Sequence, residues 1–135
     1  MSEVEARREL VRQWLEKAEE DLSAATALLH HDPPLLNIVC FHAQQCAEKM
    51  LKAFLQYRDF RFSKTHDLVQ LRQWCEQFDA SLQEIKLACH ILLPYGVEPR
   101  YPGMVVTERE VAEEASRACE QVYDFVVARL RGFVS

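Results

Sequence analysis

Basic side chains are concentrated in one stretch of this sequence, where they could bind phosphate groups. Six basic and two acidic residues lie between Lys49 and Arg72, a local net charge of +4, whereas the whole chain carries -5. The overall negative charge disfavours a general nucleic-acid binder, but a local basic surface can attract a phosphate. A solvated helix face has the same composition, so both interpretations stay open.

His42 and Cys46 are a second pair that could do chemistry, because residues four apart lie on the same side of a helix. A zinc site needs about four ligands, and no second Cys/His pair has suitable spacing. The five cysteines are odd in number and fall within predicted helices, which favours buried free thiols over disulfides. We therefore expect no metal and no cofactor.

Glycine is too scarce for the loops that cradle phosphates. Only three glycines occur, and they do not form the close cluster that Rossmann and P-loop motifs need. No apolar run approaches the ~20 residues of a membrane helix. The first residues lack the apolar stretch of a signal peptide, so we expect a cytoplasmic protein without a membrane segment.

Helical periodicity runs through the whole chain, with no competing strand pattern. The 135 residues fit a single domain, 1–135, and predict an all-α bundle of five helices, or of four with the third region broken. The predicted helices are Val4–His30, Leu36–Tyr57, His66–Phe78, Ser81–Leu93 and Glu108–Arg131.

The starts of three predicted helices carry capping signals. Ser63 or Thr65 is expected to cap the third helix. The fourth and fifth begin with Ser81–Glu84 and Thr107–Glu110, which have the pattern of capping boxes. These signals set the predicted boundaries.

The second predicted helix has apolar residues on two sides. Phe41 and Leu55 lie nearly opposite its main apolar stripe. A helix of this kind is covered on both sides, either as the central helix of the domain or by another subunit. We predict a homodimer that uses part of this helix.

Three longer motifs indicate a particular protein family more specifically than any single residue pair within them does. They are the string from Gln44-Gln45 through Glu48-Lys49 to Lys52, then Thr65-His66-Asp67-Leu68, then Arg100-Tyr101-Pro102. In this order, and with the last amphipathic helix, they resemble the HEPN family of small prokaryotic helical domains over nearly the whole chain. The resemblance implies an antiparallel up-and-down bundle, usually a homodimer, associated with nucleotides or RNA. Many members are metal-independent ribonucleases, often toxins neutralised by a minimal nucleotidyltransferase partner.

The ribonuclease members carry Arg, a polar residue, three to five others and then His. Arg61 and His66, with four residues between them, are the matching pair here. A histidine can take the proton of the 2′-hydroxyl group, and a forked guanidinium can hold the phosphate as charge builds. The resemblance therefore implies Arg61 and His66 as candidate catalytic residues.

A binding module is the competing function. A polar cleft between the second helix, the start of the third and the long connection 94–106 could be formed by Lys49, Lys52, His66, Arg100 and Tyr101. Tyr101 could stack on a base, while Arg100 and the lysines could meet phosphates. We predict that these five residues converge.

A purely structural role is the third interpretation of the same residues. In that case Arg100 and His66 pair with Glu48 or Asp67 and only hold the long connection in place. The sequence leaves all three interpretations open.

Overall fold

The computed structural model describes residues 1–96 and 108–135. Within them the chain forms five α-helices and no strand, which confirms the all-α bundle. The helices are α1 (Glu3–His30), α2 (Leu36–Tyr57), α3 (Leu68–Glu76), α4 (Lys86–Leu92) and α5 (Arg109–Val134), and short 3-10 segments, Ala80–Ile85 and Leu93–Tyr95, flank α4. None of the helices within residues 1–96 and 108–135 combines the length and the apolar composition of a membrane-spanning segment.

The central helix is α2, which packs against α1, α3, α4 and α5. More than half of its residues are buried. Leu55 is fully buried by the chain itself, whereas Phe41 is half-buried. The domain itself therefore covers Leu55, which is not available to a second subunit, whereas Phe41 stays partly open.

The C-terminal end of α2 is a Schellman turn. The backbone N–H of Phe60 donates to the carbonyl of Leu55, and that of Asp59 to the carbonyl of Gln56, both at 3.0 Å. Asp59 has a φ of 55°, the left-handed conformation that such a turn requires and that Asp tolerates better than most residues. This turn reverses the chain at the end of α2.

After this turn the connection 58–67 runs back along α2. Its last residues reach the middle of α2, where His66 lies beside Glu48. From there α3 runs in the same direction as α2, and the Cys75 thiol near its end donates to the Leu51 carbonyl at 3.5 Å. The connection therefore covers the polar side of α2.

The third helix is shorter than the predicted span His66–Phe78. Asp67 is its N-cap, because its carboxylate accepts hydrogen bonds from the backbone N–H groups of Val69 at 3.0 Å and Gln70 at 3.2 Å. The capping role predicted for Ser63 or Thr65 was therefore wrong. His66 precedes the helix and belongs to the connection.

The fourth predicted helix consists of a 3-10 segment followed by α4. Its cap is Asp79, whose carboxylate accepts from the backbone N–H of Ser81 at 2.9 Å, so the capping box predicted at Ser81 was wrong. The Ser81 hydroxyl and the Arg129 guanidinium also donate to Asp79 and hold the pKa of its carboxyl below the usual range. The second predicted box includes Thr107, which lies outside the described residues.

All five cysteines are buried and none forms a disulfide, as the sequence predicted. They lie on four different helices, and burial raises the pKa of the Cys75 and Cys89 thiols, that of Cys89 to about 12. The thiols therefore serve as small apolar side chains in the core.

Candidate functional site

The connection 58–67 is held by aromatic side chains that pack on both sides of its exposed residues. Phe60 contacts the ring of Trp74 at a centroid distance of 5.7 Å, and Phe62 contacts that of Trp14 at 6.3 Å. Between and after these anchors the chain exposes Arg61, Ser63 and Lys64. The connection is thus a packed element that presents polar side chains outward.

His66 is anchored on one ring nitrogen and exposed on the other side. Its Nδ1 lies 2.9 Å from Glu48 Oε1, and the His66 side chain is 74% exposed while that of Glu48 is 4% exposed. An ionised carboxylate only accepts, so this contact places a proton on Nδ1. Nε2 is then the nitrogen available to a ligand.

Glu48 also forms a buried ion pair with Lys52, whose Nζ lies 3.0 Å from Glu48 Oε2. The Lys52 side chain is 9% exposed, and its ammonium lies 5.6 Å from the centroid of the Trp14 ring. A buried ion pair of this kind is poor evidence for stability, because removing both charges from water offsets their attraction. It does fix the orientation of the carboxylate beneath His66.

Gln44 ties this carboxylate to the backbone of the connection. Its fully buried amide donates to Glu48 Oε1 and to the His66 carbonyl, both at 3.3 Å, and accepts from Gln45 Nε2 at 2.7 Å. Gly96, the last described residue before the gap, lies against this amide: a Cβ there would be 3.5 Å from Gln44 Nε2. The segment that follows α4 therefore meets the site at Gln44.

A second polar cluster lies between α1 and α2. Asp21 accepts from His42 Nδ1 at 2.8 Å, and its other oxygen pairs with Lys49 Nζ. The Asp21 side chain is 10% exposed, whereas His42 and Lys49 are 29% and 24% exposed. Among residues 1–96 and 108–135, no three His, Cys, Asp or Glu side chains are grouped so that they could hold a metal ion.

The structure places the predicted site residues in two groups. Lys52 and His66 share Glu48, whereas Lys49 belongs to the Asp21 cluster. Arg61 is exposed and makes no hydrogen bond or ion pair with any described residue. The other two predicted residues, Arg100 and Tyr101, lie outside the described part of the chain.

Motif spacing assigns no ligand-site role to Gln44 or Asp21, and for His42 it suggests only a metal site with Cys46. Gln44 belongs to a recognised motif, yet nothing in the motif says that its amide bonds the His66 backbone. Asp21 and His42 are 21 positions apart, and only the packing of α1 on α2 brings them together. The one local signal was the four-residue spacing of Glu48 and Lys52, which predicts their pairing but not their burial.

Comparisons with known proteins agree with this fold. The sequence profile of the HEPN domain matches residues 11–130. TT1696 from Thermus thermophilus is 27% identical with a TM-score of 0.76, over 89% of this chain and 98% of that one. ST0689, an archaeal HEPN homologue, is 22% identical with a TM-score of 0.69, over 89% of this chain and 97% of that one. At this identity the similarity is one of fold. Among curated proteins, none matches this sequence significantly.

Proposed function

Since the chain belongs to the HEPN domain family, we propose that it is a nucleotide- or RNA-binding module whose contact with phosphate is centred on His66. The observation that carries the proposal is the 74% exposed imidazole held through Nδ1 by a carboxylate that is 4% exposed. A protonated imidazole in this position donates from Nε2 to a phosphate oxygen, and such charge-assisted bonds are strong. Glu48 holds the ring in place while Nε2 stays open to the ligand.

Cationic side chains close to His66 in the same connection support this assignment. Arg61 and Lys64 are exposed, and the aromatic anchors on either side of Arg61 fix the backbone that carries it. Arg61 has its guanidinium free for a ligand as far as the described residues are concerned. A planar guanidinium binds phosphate through two parallel N–H groups, which suits RNA recognition.

The remaining predicted residues have different roles in this proposal. Lys52 is too deeply buried to reach a ligand and positions Glu48 instead. Lys49 pairs with Asp21 and not with Glu48, so it belongs to the second cluster and not to the phosphate contact at His66. Arg100 and Tyr101 stay predicted ligand contacts, through a phosphate and a base respectively.

Binding assays with His66→Ala test the proposal. We expect the affinity for a fluorescent single-stranded oligouridylate, measured by anisotropy at low salt, to fall by roughly tenfold or more, because a charge-assisted hydrogen bond contributes about 1.5–3 kcal/mol. The matched control is His90→Ala, since His90 is also exposed but lies in α4. Equal affinities for the wild type and His66→Ala would reject the site, and binding by neither would favour a purely structural role.

Metal-independent RNA cleavage by Arg61 and His66 is the second candidate. The observation that favours it is the free Nε2 of His66, because a general base needs one ring nitrogen oriented and the other open to the 2′-hydroxyl proton. Cleavage of RNA in the presence of a chelator, lost in both Arg61→Ala and His66→Ala, would establish it. Binding of intact RNA without cleavage would leave the binding module as the function.

We further propose that the chain forms a homodimer and works with a minimal nucleotidyltransferase protein. Membership of the HEPN family supports both. Sedimentation of the purified chain tests the homodimer, and a clean 15.7 kDa monomer at micromolar concentration would refute it.

Growth of cells that express the chain alone tests a toxin role. Growth arrest that disappears with His66→Ala, or when a neighbouring nucleotidyltransferase gene is expressed as well, would support that role.

A further inference from the structure

A second histidine is held in the same way as His66. His42 uses Nδ1 to contact Asp21, whose side chain is only 10% exposed. In both clusters one carboxylate engages a histidine Nδ1 with one oxygen and a lysine ammonium with the other. In both, Nε2 of the histidine is the nitrogen left for a ligand.

The two clusters are neighbours along α2. His42 and Glu48 are six residues apart, which is ~9 Å along a helix axis at ~1.5 Å per residue. Gln45 lies between them, three residues from each, and its amide donates to Gln44, which in turn donates to Glu48. The two histidines therefore flank one polar strip of α2, close enough for a single strand of a few nucleotides to reach both.

Beyond their contacts with Asp21, His42 has a second ring nitrogen and Lys49 has further N–H groups. Asp21 is already engaged by His42 Nδ1 and Lys49 Nζ, so His42 Nε2 and the remaining N–H groups of Lys49 have no partner within the cluster. On the neighbouring exposed side of α1, Lys17 pairs with Glu20 at 3.6 Å, while Glu16 and Glu19 add negative charge. Phosphodiester oxygens are the acceptors that partly exposed N–H groups bind in nucleic-acid complexes.

We propose that His42 and Lys49 form a second phosphate site, which binds another phosphodiester group of the same RNA strand whose first phosphate is held at His66. This inference rests on the proposed function, because it extends that contact along α2. It assigns a role to His42, whose spacing from Cys46 had suggested only a metal site. Cys46 is fully buried in the core and takes no part.

His42→Asn and Lys49→Gln are the variants that separate this site from His66. The side-chain amide of asparagine replaces Nδ1 as the donor to Asp21 and lacks Nε2, and glutamine likewise can donate to Asp21 without a charge. The matched control is His90→Asn. Each variant is compared with the wild type by anisotropy, using two ligands, a fluorescent oligouridylate and fluorescent uridine monophosphate.

We expect both variants to weaken oligouridylate binding by roughly fivefold or more and to leave uridine monophosphate binding unchanged, as loss of one backbone phosphate contact does. For Lys49→Gln, which removes a cation, the slope of log affinity against log salt should also fall by about 0.7. Unchanged oligouridylate affinity, or equal losses for both ligands, would overturn the second site. The proposed function would still stand in that case if His66→Ala weakened binding by roughly tenfold or more. If His66→Ala instead leaves both affinities unchanged, the proposed function fails.

Discussion

Replacing Glu48 with glutamine should show how strongly the buried carboxylate supports the site. Glutamine has the same shape but no charge, so Lys52, with 9% of its side chain exposed, would keep an ammonium without a counter-ion. Breaking a buried pair in this way costs about 3–5 kcal/mol. For a domain of this size that corresponds to a melting temperature lower by roughly 10–20 °C.

Urea denaturation followed by circular dichroism of the helical signal is a suitable assay, since the free energy of unfolding is read directly. Glu20→Gln is the matched control. Glu20 also pairs with a lysine, but both side chains are more than half exposed, at 70% and 64%. The control should therefore change stability by less than about 0.5 kcal/mol.

The double variant Glu48→Gln/Lys52→Met identifies the cause of the loss. Methionine removes the stranded ammonium and keeps the apolar contact with Trp14, so most of the lost stability should return. The reasoning would be refuted if Glu48→Gln unfolded within about 1 kcal/mol of the wild type, or if the double variant were no more stable than the single one.

Three further outcomes follow from the packing. Leu55→Ala should lower the free energy of unfolding by about 2–5 kcal/mol, because Leu55 is fully buried. Leu87 is 73% exposed, so Leu87→Ala should change the free energy of unfolding by under about 0.5 kcal/mol. Equal effects of the two variants in urea titrations would contradict the assignment of Leu55 to the core. Asp79→Asn should keep the cap but lower stability by up to about 1 kcal/mol near neutral pH, because the charge that pairs with Arg129 is lost. Because the folded-state pKa of Asp79 is lowered, that contribution exists above its unfolded-state pKa and is lost as pH falls through the folded value, so melting curves of the two proteins should converge in acid. The five cysteines should resist a thiol reagent until denaturant is added, since they are buried and the pKa of Cys89 is raised to about 12; rapid labelling of the native protein would refute this.

Regular periodicity made α2 predictable from the sequence to both its ends, Leu36 and Tyr57. Pro33 and Pro34 stand just before it, and a strong apolar stripe continues to its last turn. The start of α3 was less certain because Ser63, Thr65 and Asp67 can all cap a helix. Only the hydrogen bonds in the structure choose among them.

The candidate site could be predicted in composition but not in arrangement. Motif spacing identified His66 and Lys52, yet their sharing of Glu48 depends on the path of the connection 58–67, which has no periodicity to follow. Lys49 lies one turn from Lys52 on the same helix but bonds a residue of α1. Contacts of this kind between distant segments are set by tertiary packing, which no local pattern encodes.

Along the connection 58–67, side chains that pack inward and stabilise the fold alternate with exposed side chains that can contact a ligand. Phe60 and Phe62 pack inward, while Arg61, Ser63 and Lys64 are exposed between and after them. Substitutions at the exposed positions alter charge and shape beside His66 with little change in stability, because surface changes usually stay within about 0.5 kcal/mol. Homologous chains can therefore diverge in ligand preference at these three positions while the two phenylalanines preserve the fold.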